Sequence, residues 1–237
     1  MKKLLLLVFI AICIGIIIPC KVYATDISVG AATWYAWWDM TQRGLTMEMD
    51  PEFLYGPALA VKFNEDFNLT FIYLYGKFDI INWDGTTDKL KRTDSDLALN
   101  YRLNDYFKLF GGIKYNTYSI PSNMDFWGVG PGLGLGYTLP LSENLFLLAN
   151  LSGFYLWAKE EDKDDGSGKP TYKFDAKEYG INSTLSIAYY IASASTTVNI
   201  GGRYQYLKVD YDDDKPEGNM KHKFYGITLS ATYTFSI

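Results

Sequence analysis

Cysteine and histidine are nearly absent from this 237-residue chain, which has two of the first and one of the second. Both cysteines, Cys13 and Cys20, lie close to the N-terminus. The rest of the chain therefore has no disulfide framework, no reactive thiol and no cysteine metal site. With His222 as the single histidine, any histidine-dependent chemistry must pass through it. Long apolar runs are missing too: after residue 24 none approaches the roughly 18 residues that a spanning helix needs. Positive charge is scarce, with 22 Lys and Arg against 27 Asp and Glu, and no basic block occurs. Nucleic acid is a poor partner for such a surface.

The first 24 residues set Lys2-Lys3 before an apolar stretch from Leu4 to Ile18, then Val22-Tyr23-Ala24. A charged start, an apolar centre and a small-residue end form a secretory signal, cleaved after Ala24. A lipoprotein reading through Cys20 is weaker, because Pro19 just before it fits a lipobox badly. Removing Lys2, Lys3 and Lys21 takes the net charge from −5 to −8 for a mature domain of residues 25–237.

What the mature chain has is alternation. From Trp127 to Leu139 it reads W-G-V-G-P-G-L-G-L-G-Y-T-L. Gly128, Gly130, Gly132, Gly134 and Gly136 share one face of a strand, and Val129, Pro131, Leu133, Leu135 and Tyr137 share the other. Glycine weakens a strand unless another group must approach its backbone closely. A tight lumen inside an apolar outer wall supplies that need. Similar alternation marks about ten strands, ending with Phe224 to Ile237. Short connections, such as Asn64-Glu65-Asp66 and Asn104-Asp105, alternate with long polar ones at Met40 to Glu52, Asp79 to Thr93, Ser119 to Phe126, Lys159 to Asp175 and Asp210 to His222. Aromatics make up 17% of the chain, enough for girdles at both membrane surfaces. The expected fold is an all-β, antiparallel, up-and-down transmembrane barrel.

The leader, the alternating strands and the closing Ala231-Thr232-Tyr233-Thr234-Phe235-Ser236-Ile237 resemble the small bacterial outer-membrane β-barrel superfamily. The resemblance implies export to the outer membrane, contact with its lipid and lipopolysaccharide, and a last strand read by the barrel-assembly machinery. Tyr233, Phe235 and Ile237 would carry that assembly signal, although the family usually ends on an aromatic residue and this chain ends on isoleucine. It implies no cofactor and leaves the oligomeric state open.

Lys62, Asp96, Arg102, Lys108, Lys114, Glu178 and Arg203 fall on the expected lumen face. Packed together they form a salt-bridged plug, and left open they line a narrow, weakly anion-preferring pore. His222, expected as an exposed histidine between lysines, together with Asp94 and Asp96 resembles the catalytic groups of omptin proteases only weakly. Omptins place an aspartate two residues before the histidine, where Met220 stands here, and lipid A deacylases place a serine two residues after it, where Phe224 stands. Asp162-Lys163-Asp164-Asp165-Gly166 begins like a calcium loop but has glycine in place of the third oxygen ligand, so no metal is expected. Ile72, Leu74, Phe146, Leu148, Phe154 and Leu156 also face inward, either packing over the glycine row or lining a slot for a small hydrophobic ligand. The leading expectation is a non-enzymatic outer-membrane protein with a structural, adhesive or narrow-channel role. The alternatives are a surface hydrolase or lipid-modifying enzyme using His222 with loop carboxylates such as Asp210 and Asp212 to Asp214, and a hydrophobic-ligand carrier.

Overall fold

A computed structural model describes residues 26–81, 87–120, 124–162, 172–212 and 218–236. Ten strands follow one another: β1 (Asp26–Gln42), β2 (Leu45–Lys62), β3 (Phe67–Ile81), β4 (Thr87–Arg102), β5 (Phe107–Ile120), β6 (Met124–Pro140), β7 (Leu145–Asp162), β8 (Tyr172–Ile191), β9 (Thr196–Tyr211) and β10 (Met220–Ser236). Each pairs antiparallel with its neighbours, and β1 pairs with β10 from Asp26↔Ser236 to Gln42↔Met220, closing the barrel. Closure gives each strand two neighbours, so ladder groups along the paired stretches find partners without water. The expected signal lies outside the described residues, as do Ile237 and Asp164-Asp165-Gly166.

Turn chemistry fixes the register at the end that carries both termini. Asn64 and Asn104 each accept two backbone N–H groups through Oδ1, from Asp66 and Phe67 and from Tyr106 and Phe107, at 2.8–2.9 Å. This side-chain turn explains the repeated Asn-x-x-Phe at both sites.

The opposite end corrects the expectation of long polar loops. Most of those residues continue the strands. Met40 to Glu52 forms an extended β1–β2 arm with a two-residue turn at Arg43-Gly44, whose φ values of 52° and 78° match a mirror-image hairpin turn. Arms of this kind extend β4, β7, β8, β9 and β10 as well, so the barrel wall continues past the membrane.

The outward faces locate that boundary. On β10 they read Lys221, Lys223, Tyr225, Ile227, Leu229, Ala231, Tyr233 and Phe235, and on β8 Lys173, Asp175, Lys177, Tyr179, Ile181, Ser183, Leu185, Ile187 and Tyr189. Charge gives way to an aromatic residue, then to a belt of aliphatics, then to aromatics again. Leu133 is 62% exposed and Leu185 57%, which suits a surface solvated by lipid tails. From Tyr225 to Phe235 is eleven residues, the span of a tilted transmembrane strand. Tyr35, Trp37, Phe53 and Tyr225 build one side of the upper girdle. Phe67–Tyr101 and Phe107–Tyr137 build part of the lower one.

Candidate functional site

The inner face of β4 carries the centre of the interior. Period two places Leu90, Arg92, Asp94 and Asp96 in the lumen, with Leu90, Arg92 and Asp94 all buried. The Asp94 carboxylate accepts from Arg203 Nη2 at 2.8 Å, Arg92 Nη2 at 3.0 Å, Lys114 Nζ at 3.1 Å and Gln205 Nε2 at 3.2 Å. Lys114 also reaches Asp96 at 3.1 Å, and Arg203 Nε donates to Asn182 Oδ1 at 2.9 Å. Strands β4, β5 and β9 are thus tied across the lumen through one carboxylate, and Arg203 carries the link on to β8. A buried charge is tolerated only when paired and hydrogen-bonded, and Asp94, 1% exposed, meets both conditions.

Aromatic rings fill the cross-section beside these charges. The Arg92 guanidinium lies 3.7 Å from the Phe224 ring centre and 4.9 Å from that of Tyr118. Arg203 sits 4.3 Å from the ring centre of Trp34. Flat guanidinium faces stack on aromatic rings while their edges donate, so both groups serve packing and charge. Glu178 accepts from Asn116 Nδ2 at 3.1 Å and from the Tyr118 hydroxyl at 3.0 Å.

His222 is not the exposed histidine that its flanking lysines suggest. Lys221 and Lys223 point outward and His222 points inward, 2% exposed. The Trp38 indole N–H donates to its Nδ1 at 3.3 Å, and its ring stacks on Tyr118 at 4.9 Å. It lies above Tyr225 and so beyond the membrane belt. Burial, reinforced by the Arg92 charge, pushes its pKa from 6.5 down to about 3. The ring is therefore neutral at physiological pH, with its proton on Nε2. No His222–carboxylate ion pair occurs among the described residues, and the oxygens of Asp94 are occupied by cations. The expected grouping of His222 with Asp94 and Asp96 does not form a proton relay.

Two other expected lumen charges are displaced. Lys62 and Arg102 keep the inward register but sit at the short-turn rim, 48% and 44% exposed. Lys62 pairs with Asp26 at 3.4 Å, and Arg102 with Glu65 at 3.3 Å and Asp66 at 3.6 Å. They are corrected to rim residues because each is the last residue of its strand. Asp96, Lys108, Lys114, Glu178 and Arg203 remain inside.

The five glycines of β6 all face the lumen. A Cβ on Gly134 would collide with the Phe110 ring, and one on Gly136 with the Lys108 side chain. On Gly128 it would meet Glu178 Oε2 at 3.1 Å. Gly132 differs, its closest neighbours lying at 3.5 Å. The bare face thus receives side-chain bulk from β5 at Gly134 and Gly136 and from β8 at Gly128, and the β7 backbone lies close against Gly130. Gly132 alone of the five stands clear, and it lines a cavity of about 380 Å³. That cavity lies on the short-turn side of the Asp94 cluster. Asp96, Lys114, Arg203 and Phe154 close its upper end, and Lys108, Asn100 and Asn150 lie toward its lower end.

Arg92, Trp34, Trp38, Gln205, Asn116 and Tyr118 complete the interior and were not singled out from the sequence. Carrying the alternation of β4 upward from Asp94 reaches Arg92 directly. Assigning Asp79 to Thr93 to a loop stopped that count two residues short.

No family model matches this chain, and no curated protein does either. Among solved structures, the outer membrane protease OmpT of Escherichia coli superposes with a TM-score of 0.56 at 12% identity, over 89% of this chain and 97% of that one. Neisserial surface protein A (NspA) gives 0.42 at 11% identity, over 88% and 97%. The outer membrane protein OprG of Pseudomonas aeruginosa gives 0.36 at 13%, over 90% and 97%. The closed ten-stranded antiparallel barrel of this chain is the outer-membrane β-barrel fold.

Proposed function

We propose that this protein is a non-enzymatic, non-conducting outer-membrane barrel whose rigid outer arms carry a structural or adhesive role at the cell surface. One observation supports this above the others: the Asp94 cluster and the rings around it fill the lumen at the upper girdle. An ion crossing there would have to part Asp94 from Arg92, Lys114 and Arg203 while they are desolvated. Lipopolysaccharide is the expected neighbour of Lys177, Lys208, Lys221 and Lys223, which stand outward above the belt. The assembly machinery would read β10, where Tyr233 and Phe235 face lipid.

Planar-bilayer recording of the full chain tests closure. Flat traces are expected, and stable unitary steps would overturn the reading. Against the hydrolase reading stands the burial of His222 among Trp38 and Tyr118, with no carboxylate ion pair among the described residues. OmpT is a protease by name, but a likeness of fold at 12% identity transfers no activity. Incubation with peptides and with lipid A should leave both substrates unchanged, and turnover lost in His222→Gln would reinstate an enzyme.

A further inference from the structure

The cavity beneath the Asp94 cluster is charged in an unbalanced way. Lys114 and Arg203 at its upper end are both neutralised by Asp94 and Asp96. Lys108, the second residue of β5, lines its lower end and has no carboxylate partner among the described residues. Its ammonium lies 5.8 Å from the Phe110 ring centre, and its stem crosses Gly136. A cation held in a narrow lumen without a counter-charge is costly, and a bound anion removes that cost.

The walls add a second constraint. Apolar groups from Ile72 and Leu74 on β3, Phe110 on β5 and Phe154 on β7 line the cavity beside polar ones from the same part of the wall, Thr70, Asn100, Asn150 and Ser152. Further hydroxyl and amide groups come from Asn182 and Thr184 on β8, Asn199 on β9 and Thr228 on β10. Asn199 Oδ1 is buried with no hydrogen-bond partner among the described residues. A volume of about 380 Å³ lies in the range of small-molecule sites. Lys108 and Lys114 bracket Phe110 on the inner face of β5, so an anion at Lys108 places any attached body against Phe110 and below Phe154.

We propose that this cavity binds a small organic carboxylate with an apolar body, its carboxylate on Lys108 and its body against Phe110 and Phe154. The upper cluster closes the other end, so the ligand comes from the periplasmic side. The body contributes through burial and the charge through a desolvated ion pair, which a neutral isostere lacks.

The full chain in neutral-detergent micelles tests this by equilibrium dialysis against 3-phenylpropionate and its neutral amide, 3-phenylpropanamide. The unsubstituted protein should hold the carboxylate at least tenfold tighter than the amide. Lys108→Met should abolish that preference while heat-modifiable gel mobility stays that of the folded barrel. Gly132→Trp, which fills the cavity, should lose both probes. Absence of saturable binding, equal binding of acid and amide, or a carboxylate preference that survives Lys108→Met would each overturn the proposal. Should Gly132→Trp not fold, the acid–amide comparison on the unsubstituted chain still decides. Conductance is a separate measurement, so failure here leaves the closed-barrel reading standing, and the reverse also holds.

Discussion

Arg92 Nη2 and Asp94 Oδ2 lie 3.0 Å apart although the two residues are neighbours on one face of a single strand. A same-strand pair cannot tie strands together. It leaves Asp94 Oδ1 for Lys114 and Arg203, and Arg92 donates onward to Gln205 Oε1 at 2.6 Å. Asp94 is thus the hub, and Arg92 adds the third positive charge around it.

Removing that hub should be severe. Asp94→Asn leaves three buried cations facing one another with only Asp96 and Glu178 nearby, and should cost about 3–5 kcal/mol. Urea unfolding followed by tryptophan fluorescence measures the loss. Asp96→Asn, at a site 38% exposed, should cost far less. Equal effects would place the hub elsewhere.

The glycine row predicts a sharp contrast within one strand. Gly132→Ala meets only ordinary contacts and should change stability by less than about 0.5 kcal/mol. Gly134→Ala drives a methyl into Phe110 and should cost about 1–3 kcal/mol. Phe110→Ala in the same chain should restore part of that loss, and a double-mutant cycle reads the coupling.

Acid sensitivity should report His222. Its pKa is near 6.5 when unfolded and about 3 when folded. Between those values the unfolded chain binds a proton that the folded chain does not, so stability rises with pH. It is full above pH 6.5 and falls as the pH drops, by up to about 1.4 kcal/mol per pH unit. Across the window from pH 6.5 to 5, His222→Gln should flatten the urea midpoint. An unchanged slope would mean that the folded histidine is free to protonate.

Face assignment can be read by chemistry. Ala58 is 6% exposed and lines the cavity, whereas Leu59 is 42% exposed on the belt. Single cysteines at these positions should label oppositely, Leu59→Cys with a lipid-phase maleimide and Ala58→Cys with a small water-soluble thiosulfonate. Equal labelling would shift the register by one residue.

The barrel itself was legible in the sequence because period-two alternation reports a wall with two different solvents. The same rule placed the glycines of β6 and the charges Lys108, Lys114, Glu178 and Arg203. It failed at both ends of the strands. Above the belt, outward residues turn from apolar to charged, so the arms read as loops although Arg43-Gly44 signals a hairpin. At Lys62 and Arg102 the alternation was right, but depth along the barrel axis, which periodicity does not encode, left them in solvent. His222 was misplaced for a related reason: lysines on both sides mark an exposed strand face, and the residue between them takes the opposite one. The Asp94 hub joins β4, β5 and β9, with β8 reached through Arg203, and no local pattern announces so distant a meeting.

The arms above the belt have an inner face bound into the cluster and an outer face free in solvent. Substitutions accumulating in natural variants of this chain should therefore follow a two-residue rhythm there. Lys173, Lys177, Lys208, Lys221 and Lys223 are free to drift, while Arg92, Glu178, Gln205 and His222 are held. An antibody raised against the outer face would meet a surface that changes on a frame that does not.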